Sequence, residues 1–257
     1  MPLSNTVFKA FRALSQKKHR LASGKIVIEG WRLIESALQS PAVVERVLCN
    51  DDFRHSDHGA TFSALAAGRN IPVESLTPTQ AEQLSDIRTP PGAYAVVTWP
   101  DRPAPTDLRP PILVLDAIAN PGNLGTLLRT ADWFGLPTVL VSDDSADITN
   151  PKVVRGGMGA HFHLPQLYQG ELASQLAAMQ ADGTVIIGAT LEGGPLSAVP
   201  APPAWALVLG SEAHGLSAHW SAALNVAVTI PSAGAAESLN VAVAGGIILN
   251  HLLQPAP

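Results

Sequence analysis

IPSAGAAESLNVAVAGGIIL, residues 230–249, opens with small and polar residues and continues as an almost wholly apolar run. A proline and a glycine end the strand-like segment before it, and Ser238 is a good N-cap for a helix that begins near Asn240. Apolar side chains occur around every face of that helix, which predicts a helix packed on all sides. Gly245 and Gly246 each lower helix propensity by roughly 1 kcal/mol, so we expect another element to approach closely there.

Two further stretches have the same organisation. The stretch LDAIANPGNLGTLLRTADWFG, residues 115–135, begins as an apolar strand and ends in a helix after a polar, Gly-containing turn. The stretch LVLGSEAHGLS, residues 207–217, does the same. Ligands of open α/β sheets bind where such turns leave the carboxyl ends of strands. The three stretches therefore predict one composite site.

Together these stretches resemble the three motifs of the SpoU (TrmH-like) RNA 2'-O-ribose methyltransferases of the SPOUT superfamily. The order of the motifs along the chain matches, and so do their sequences, NPGNLGTLLRTA, LGSEAHGLS and IPSAGAAESLNVAVA. The resemblance implies a C-terminal α/β methyltransferase domain with a deep trefoil knot, which composition and periodicity do not reveal. Alternating strands and helices after residue 111 independently predict a mainly parallel sheet with helices on both faces.

The resemblance also implies S-adenosyl-L-methionine as the cofactor and a ribose 2'-hydroxyl of RNA, with ribosomal RNA expected, as the methyl acceptor. Carried over position by position, the expected catalytic residues are Arg129, Asn123, Glu212, Ser238 and Asn240. The expected cofactor-binding residues are Thr190, Leu209, Gly210, Ile230, Ser238 and Leu239. No metal is required, because the sulfonium is already an activated leaving group.

Arg129 is the residue that the resemblance assigns to the ribose hydroxyl, steered by Asn123. A guanidinium with a pKa above about 12 is a poor free base, so we expect the substrate phosphate or a close partner to set its protonation and orientation. From the sequence alone, Asn123 also suits the N-cap of the helix after Pro121. Asn120 stands where many relatives carry an aspartate before the proline, which bears on substrate choice.

Residues 1–99 alternate short strands and helices, which predicts a small α/β domain. It opens with a helix over 6–21, and the segment KKHRLASGKIVIEGWRLIESAL resembles the start of the L30e- or L7Ae-like substrate-binding domain that precedes many SpoU domains. Residues 1–32 hold seven Lys and Arg against one acid, although the whole chain has a formal net charge of −5. Such a segment suits RNA phosphates, with a solvated helix as the alternative. The expected RNA contacts are Lys17, Lys18, Arg20, Arg32 and Arg155.

The segment WPDRPAPTDLRPP, residues 99–111, contains five prolines and predicts an extended linker. It divides the chain into an RNA substrate-binding domain (1–99), the linker (100–111) and the methyltransferase domain (112–257).

The N-terminal residues lack the apolar core of a signal peptide, and no run has the character of a membrane span, so a cytoplasmic location is expected. Cys49 fits a reducing compartment and core packing.

Other chemistry has weaker support. The Gly-rich turns lack the endings of phosphate-binding loops, and a Ser/His/Asp set of Ser211, His214 and Asp116 lacks the nucleophile elbow of hydrolases. His161 and His163, on a segment with strand-like alternation, do not supply the convergent ligands of a metal site. Two alternatives that also involve RNA stay open: a tRNA substrate, and a non-catalytic RNA-binding ribosome-assembly factor.

Surplus apolar surface on the last helix predicts a homodimer through the C-terminal domain, which the resemblance also implies.

Overall fold

The computed structural model describes residues 3–99, 102–199 and 202–254. The strands, in chain order, are β1 (Lys25–Glu29), β2 (Val44–Cys49), β3 (Val73–Ser75), β4 (Ala93–Thr98), β5 (Ile112–Leu115), β6 (Thr138–Ser142), β7 (Gln166–Gly170), β8 (Val185–Pro195), β9 (Trp205–Leu209) and β10 (Val226–Thr229). The helices are α1 (Asn5–Ala13), α2 (Lys17–Ser23), α3 (Trp31–Gln39), α4 (Asp51–Arg54), α5 (Gly59–Gly68), α6 (Pro78–Leu84), α7 (Pro121–Trp133), α8 (Pro151–Gly157), α9 (Ala160–His163), α10 (Ala173–Ala181), α11 (Ala218–Ala223) and α12 (Val241–Leu253).

These elements form two compact units. Unit 1 consists of residues 3–99 and 149–162, and unit 2 consists of the other described residues, 102–148 and those from 163 onward. Unit 1 has a mixed sheet in the order β1-β4-β2-β3, in which β4 is antiparallel to both neighbours and β2 is parallel to β3. The sheet is covered on both faces, with Ile26 and Ile28 in one core cluster and Tyr94 and Val96 in another. Cys49 lies in the first cluster, which confirms its predicted core packing.

The predicted single helix over 6–21 was wrong, because the chain breaks it into α1 and α2. At the break, the guanidinium of Arg20 donates to the carbonyl oxygens of Leu14 at 3.0 Å and Ser15 at 2.8 Å. The end of a helix leaves such carbonyls without intrahelical partners, and a buried carbonyl needs another donor. Arg20 is 5% exposed and fills that role. Its charge therefore lies in the interior of unit 1.

A later piece of chain completes unit 1. Residues 149–162 follow β6 in the sequence, yet Val154 lies in the same core cluster as Ile26, and Arg155 forms an ion pair with Glu29. This segment carries α8 and most of α9, so the strand-like reading of residues 161–163 was wrong. The division into functional domains at 1–99, 100–111 and 112–257 stays a prediction. The structure adds that the first compact unit is discontinuous in sequence.

Unit 2 is built on a six-stranded, wholly parallel sheet in the order β10-β8-β9-β5-β6-β7. On one face Ile112 and Val208 pack in a core cluster with Met179 of α10 and Trp220 of α11. On the other face lie α7 and α12, which contact each other. A parallel sheet covered on both faces needs strands that are apolar throughout. The predicted sheet class is confirmed, and the trefoil knot stays a prediction.

Gly245 explains how closely α12 packs. A Cβ atom at this position would lie 2.6 Å from Cδ2 of Leu127 and 2.7 Å from Cδ1 of Leu209, so a larger residue would require both leucine side chains to move. The expected close approach is therefore confirmed at Gly245. A Cβ atom at Gly246 would meet nothing within 4 Å. Within the three described ranges, no helix is both long and apolar enough to cross a bilayer.

Candidate active site

The three polar turns predicted from the sequence meet at one edge of the unit 2 sheet. β5 and β9 are parallel neighbours with Leu115 level with Leu209, so the turns that follow them leave the same edge. The N-terminus of α12 joins these turns through hydrogen bonds of Asn240. The composite arrangement is thus observed, and the chemical roles of its residues are taken up below as proposals.

One carboxylate oxygen holds the three turns together. Oε1 of Glu212 accepts hydrogen bonds from Nδ2 of Asn123 at 2.9 Å and from Nδ2 of Asn240 at 2.9 Å. The backbone N–H of Val241 donates to the same oxygen at 3.2 Å. Nδ2 of Asn240 also donates to Oδ1 of Asn123 at 3.0 Å, which closes the set. We call these three side chains the Asn123–Glu212–Asn240 cluster.

The side chain of Asn123 can take part in the cluster because another residue caps α7. The helix begins at Pro121, and Oδ1 of Asn120 accepts hydrogen bonds from the backbone N–H groups of Gly122 at 2.8 Å and Asn123 at 3.3 Å. The predicted N-cap at Asn123 was therefore wrong. Asn120 satisfies the free N–H groups of the first turn, and the Asn123 side chain can turn toward Glu212.

A similar shift occurs at α12. Its N-cap is Asn240, whose Oδ1 accepts from the N–H groups of Ala242 at 3.0 Å and Val243 at 3.3 Å. The predicted cap at Ser238 was wrong by two residues. Asn240 uses its carbonyl oxygen for the helix and its amide nitrogen for the cluster, which fixes both the helix start and the side-chain orientation.

The remaining predicted catalytic residues lie outside the cluster. Arg129 is exposed on α7, six residues after Asn123, and its guanidinium makes no hydrogen bond or ion pair with any residue that the structure describes. Ser238 is exposed, two residues before Asn240. The structure thus brings together three of the five predicted catalytic residues by direct contact and leaves the other two open to solvent.

The residues predicted to bind the cofactor lie in or near three neighbouring strands, β10, β8 and β9. Thr190 lies within β8, between the residues that pair with β10 at Gly188 and at Gly194, and Ile230 directly follows β10. Leu209 ends β9, and a Cβ atom at Gly210 would collide with the carbonyl oxygen of Gly215. The turn after Gly210 is closed by paired backbone hydrogen bonds between Ser211 and Gly215 at 2.9 and 2.8 Å. Ser238 and Leu239 belong to a wholly exposed stretch, residues 231–240.

From the sequence, Asp116 was considered only as a member of the Ser/His/Asp hydrolase set, which was rejected. In the structure, Asp116 is part of this site. It follows β5 directly, is 1% exposed, and accepts the backbone N–H of Ser217 through Oδ2 at 2.7 Å. Ser217 ends the turn that carries Glu212. An acid placed directly after a wholly apolar strand is the signal that could have indicated this role, because a buried carboxylate needs a donor.

The predicted RNA-binding residues of unit 1 divide into two groups. Lys17, Lys18 and Arg32 are exposed. Arg20 is buried and also donates through Nε to Oγ1 of Thr149 at 3.0 Å, which leaves it no surface for a phosphate. Arg155 is partly buried and pairs with Glu29. Across the described ranges, no group of three or more His, Cys, Asp or Glu residues has the arrangement of a metal site.

Comparison with known proteins gives a consistent result over almost the whole chain. Residues 110–250 match the family model described as the SpoU rRNA Methylase family, and residues 5–95 match the MRM3-like substrate binding domain. The chain is 34% identical over 249 residues to the 23S rRNA (guanosine(2553)-2'-O)-methyltransferase RlmP of Bacillus subtilis, covering 96% of each protein.

Two crystal structures with bound AdoMet are also similar. One is an rRNA methyltransferase from Sinorhizobium meliloti, with a TM-score of 0.84 and 25% identity over 98% of this chain and 95% of that one. The other is the SpoU methyltransferase AviRb from Streptomyces viridochromogenes, with a TM-score of 0.80 and 26% identity over 97% of each chain.

Proposed function

The chain belongs to the SpoU rRNA methylase family, and we propose that it transfers a methyl group from S-adenosyl-L-methionine to a ribose 2'-hydroxyl of ribosomal RNA. The observation that carries the proposal is the Asn123–Glu212–Asn240 cluster, in which one side chain from each of three distant turns meets at the sheet edge. Relatives known as 23S rRNA 2'-O-methyltransferases support the same reaction.

The residues at this edge fit the cofactor. Its adenine edge and carboxylate need backbone amides and close approach, and the tight turn after Gly210 together with the exposed residues 231–240 offers both. We propose that Thr190, Leu209, Gly210, Ile230, Ser238 and Leu239 hold it. Once bound, S-adenosyl-L-methionine supplies an electrophilic methyl group on a sulfonium, which makes a metal ion unnecessary.

Arg129 is proposed to act on the RNA. Its exposed guanidinium has no partner among the described residues, so its N–H groups remain available for a substrate phosphate. A charged guanidinium is a poor base, so we propose that Arg129 stays charged, orients the ribose hydroxyl and stabilises the negative charge that develops on its oxygen, while the hydroxyl proton leaves to water by way of the neighbouring phosphate. Asn123 lies on the same helix, held by Glu212, and steers the approach. Ser238 is proposed as a further polar contact to the ribose.

Two alternatives are separated by one experiment. A tRNA substrate and a non-catalytic assembly factor would both preserve RNA binding. Purified protein is incubated with labelled S-adenosyl-L-methionine and either a protein-free 23S rRNA transcript or total tRNA, and the RNA is digested to nucleosides. We expect label in one 2'-O-methylnucleoside of the rRNA. Label only in tRNA supports the first alternative, and no label in either RNA supports the second. We also propose a cytoplasmic location for the protein.

We also propose that the protein acts as a homodimer through α12. Val243 and Ile247, one turn apart on α12, are 51% and 42% exposed, and Leu239 just before the helix is 47% exposed. The predicted packing on all sides therefore does not occur within one chain. Three exposed apolar side chains near one helix are typical of an interface. Sedimentation should give twice the mass of 26.8 kDa, and Ile247→Asp should shift it to the monomer.

A further inference from the structure

Unit 1 contains a cavity that the proposed chemistry does not use. It has a volume of about 300 Å³ and opens beside the N-terminal end of α3. The lining residues that matter here are Glu29, Trp31, Arg32, His58, Arg155 and Met158. Most of this surface is apolar, although the charged residues Glu29, Arg32 and Arg155 also line it. A pocket of this size and composition is in the range that binds small flat ligands.

Aromatic side chains form one wall of the cavity in a fixed orientation. The imidazole of exposed His58 stacks on the indole of Trp31 with ring centroids 5.7 Å apart and an interplanar angle of 18°. The indole also contacts two buried rings, with centroid distances of 6.3 Å to Phe53 and 6.1 Å to Phe62. Because the Trp31 indole packs against core residues, the fold sets its orientation, and the His58 ring stacks on this supported surface.

The charges around the cavity favour a ligand that is neutral in the pocket and anionic at its mouth. Arg155 and Glu29 form an ion pair, so their charges largely cancel. Glu29 also accepts a hydrogen bond from the hydroxyl of Ser85 at 2.5 Å. Arg32 is exposed and forms no ion pair with a residue in the described part of the chain. One guanidinium is therefore left for an anion outside the pocket.

We propose that this cavity receives an unpaired nucleobase of the RNA substrate, stacked on His58, while Arg32 binds the adjoining phosphate. The proposal rests on the proposed function, because it assumes that RNA is the ligand of unit 1. Sequence-specific RNA recognition uses splayed, unpaired bases that stack on aromatic side chains, whereas paired bases cannot enter such a pocket. The match of residues 5–95 to a substrate binding domain agrees with RNA as the ligand.

The test measures binding of the full chain to a protein-free 23S rRNA transcript over a range of salt concentrations. His58→Ala should weaken binding by about five- to 100-fold, because one base stack is lost. The slope of log affinity against log salt should not change, since no phosphate contact is removed. His58→Phe should restore most of the affinity. Arg32→Ala should instead reduce the slope by about one.

His55→Ala is the matched control, because His55 is an exposed histidine close by in the sequence and does not line the cavity. It should bind like the wild type, and melting curves of all variants should coincide. Wild-type affinity in His58→Ala would overturn the proposal, and so would a loss that His58→Phe does not restore. Methyl transfer by the wild-type protein is measured in parallel. Failure of transfer counts against the proposed function, whereas transfer with an insensitive His58 counts against the cavity alone.

Discussion

Oδ2 of Asp116 accepts the backbone N–H of Ser217 at 2.7 Å, although the two residues are 101 positions apart. Asp116 follows β5, and Ser217 ends the turn that begins after β9. The bond therefore fixes the far end of that turn to the neighbouring strand, and Glu212 lies between its two fixed ends. Asp116 is nearly inaccessible to solvent, so we expect it to position the turn and not to touch the substrate.

Substitution of Asp116 tests this anchor. Asp116→Leu leaves the partly buried N–H of Ser217 without its acceptor, which costs at most about 1–3 kcal/mol and releases the turn that carries Glu212. We expect methyl transfer to fall by roughly ten- to 100-fold. Asp116→Asn keeps an oxygen acceptor of the same shape and should remain within about fivefold of the wild type. The measurements are single-turnover transfer and cofactor titration. Equal transfer by both variants would contradict the positioning role.

Replacement of Arg129 separates catalysis from stability. Because the side chain is exposed and makes no polar contact with the described residues, Arg129→Ala should leave the melting temperature and cofactor affinity unchanged. Transfer should fall by several orders of magnitude, since the lost interaction belongs to the transition state. Arg129→Lys should not rescue it, because a point charge cannot replace the planar guanidinium. Near wild-type turnover in either variant would remove Arg129 from the proposed mechanism.

Two sets of basic residues in α2 should behave in opposite ways. Arg20→Ala removes a buried donor from the carbonyls of Leu14 and Ser15, and we expect a loss of about 2–3 kcal/mol in the free energy of unfolding. The double variant Lys17→Ala/Lys18→Ala should melt like the wild type and should lower the salt slope of RNA binding by about one to two. Denaturant titration and salt-dependent binding measure the two effects. An unchanged slope in the double variant would place the phosphate contacts elsewhere.

Removal of the N-terminal domain should depend on where the remaining chain is cut. A fragment that begins at residue 102 still carries residues 149–162, in which Val154 and Arg155 lose their partners in unit 1. We expect this fragment to aggregate, because it exposes an apolar helix. A second fragment, with residues 149–162 replaced by a short Gly/Ser linker, should remain soluble and bind cofactor. Light scattering and cofactor titration compare them. Equal solubility of both fragments would argue against the prediction.

The parallel sheet of unit 2 was predictable because its central strands are apolar throughout. ILVL and WALVL are buried on both faces, and no surface strand or loop needs such a run. β7 could not be predicted from its sequence, for the converse reason. It lies at the edge of the sheet, and its sequence QLYQG has too few apolar residues to indicate a strand.

The helix N-cap positions and the burial of Arg20 could not be predicted from the local sequence. Asn120 and Asn123 are equally good N-caps by type, and Glu212, 89 residues beyond Asn123, engages the second of them. Arg20 resembles its exposed neighbours in sequence, and its burial depends on Thr149, 129 residues away. Local pattern identified the residue types of the site, whereas contacts between distant segments determined which atom each side chain uses.

The discontinuity of unit 1 also limits how genes of this kind can recombine. A single crossover near the proline-rich segment would exchange residues 3–99 and leave the old residues 149–162 behind. The sheet from the other protein would then have to pack against the original Val154 and Arg155 in place of its own counterparts. Successful exchange of this unit between relatives therefore requires that both pieces be inherited together. A change of RNA target by domain shuffling would need at least three crossovers, not one.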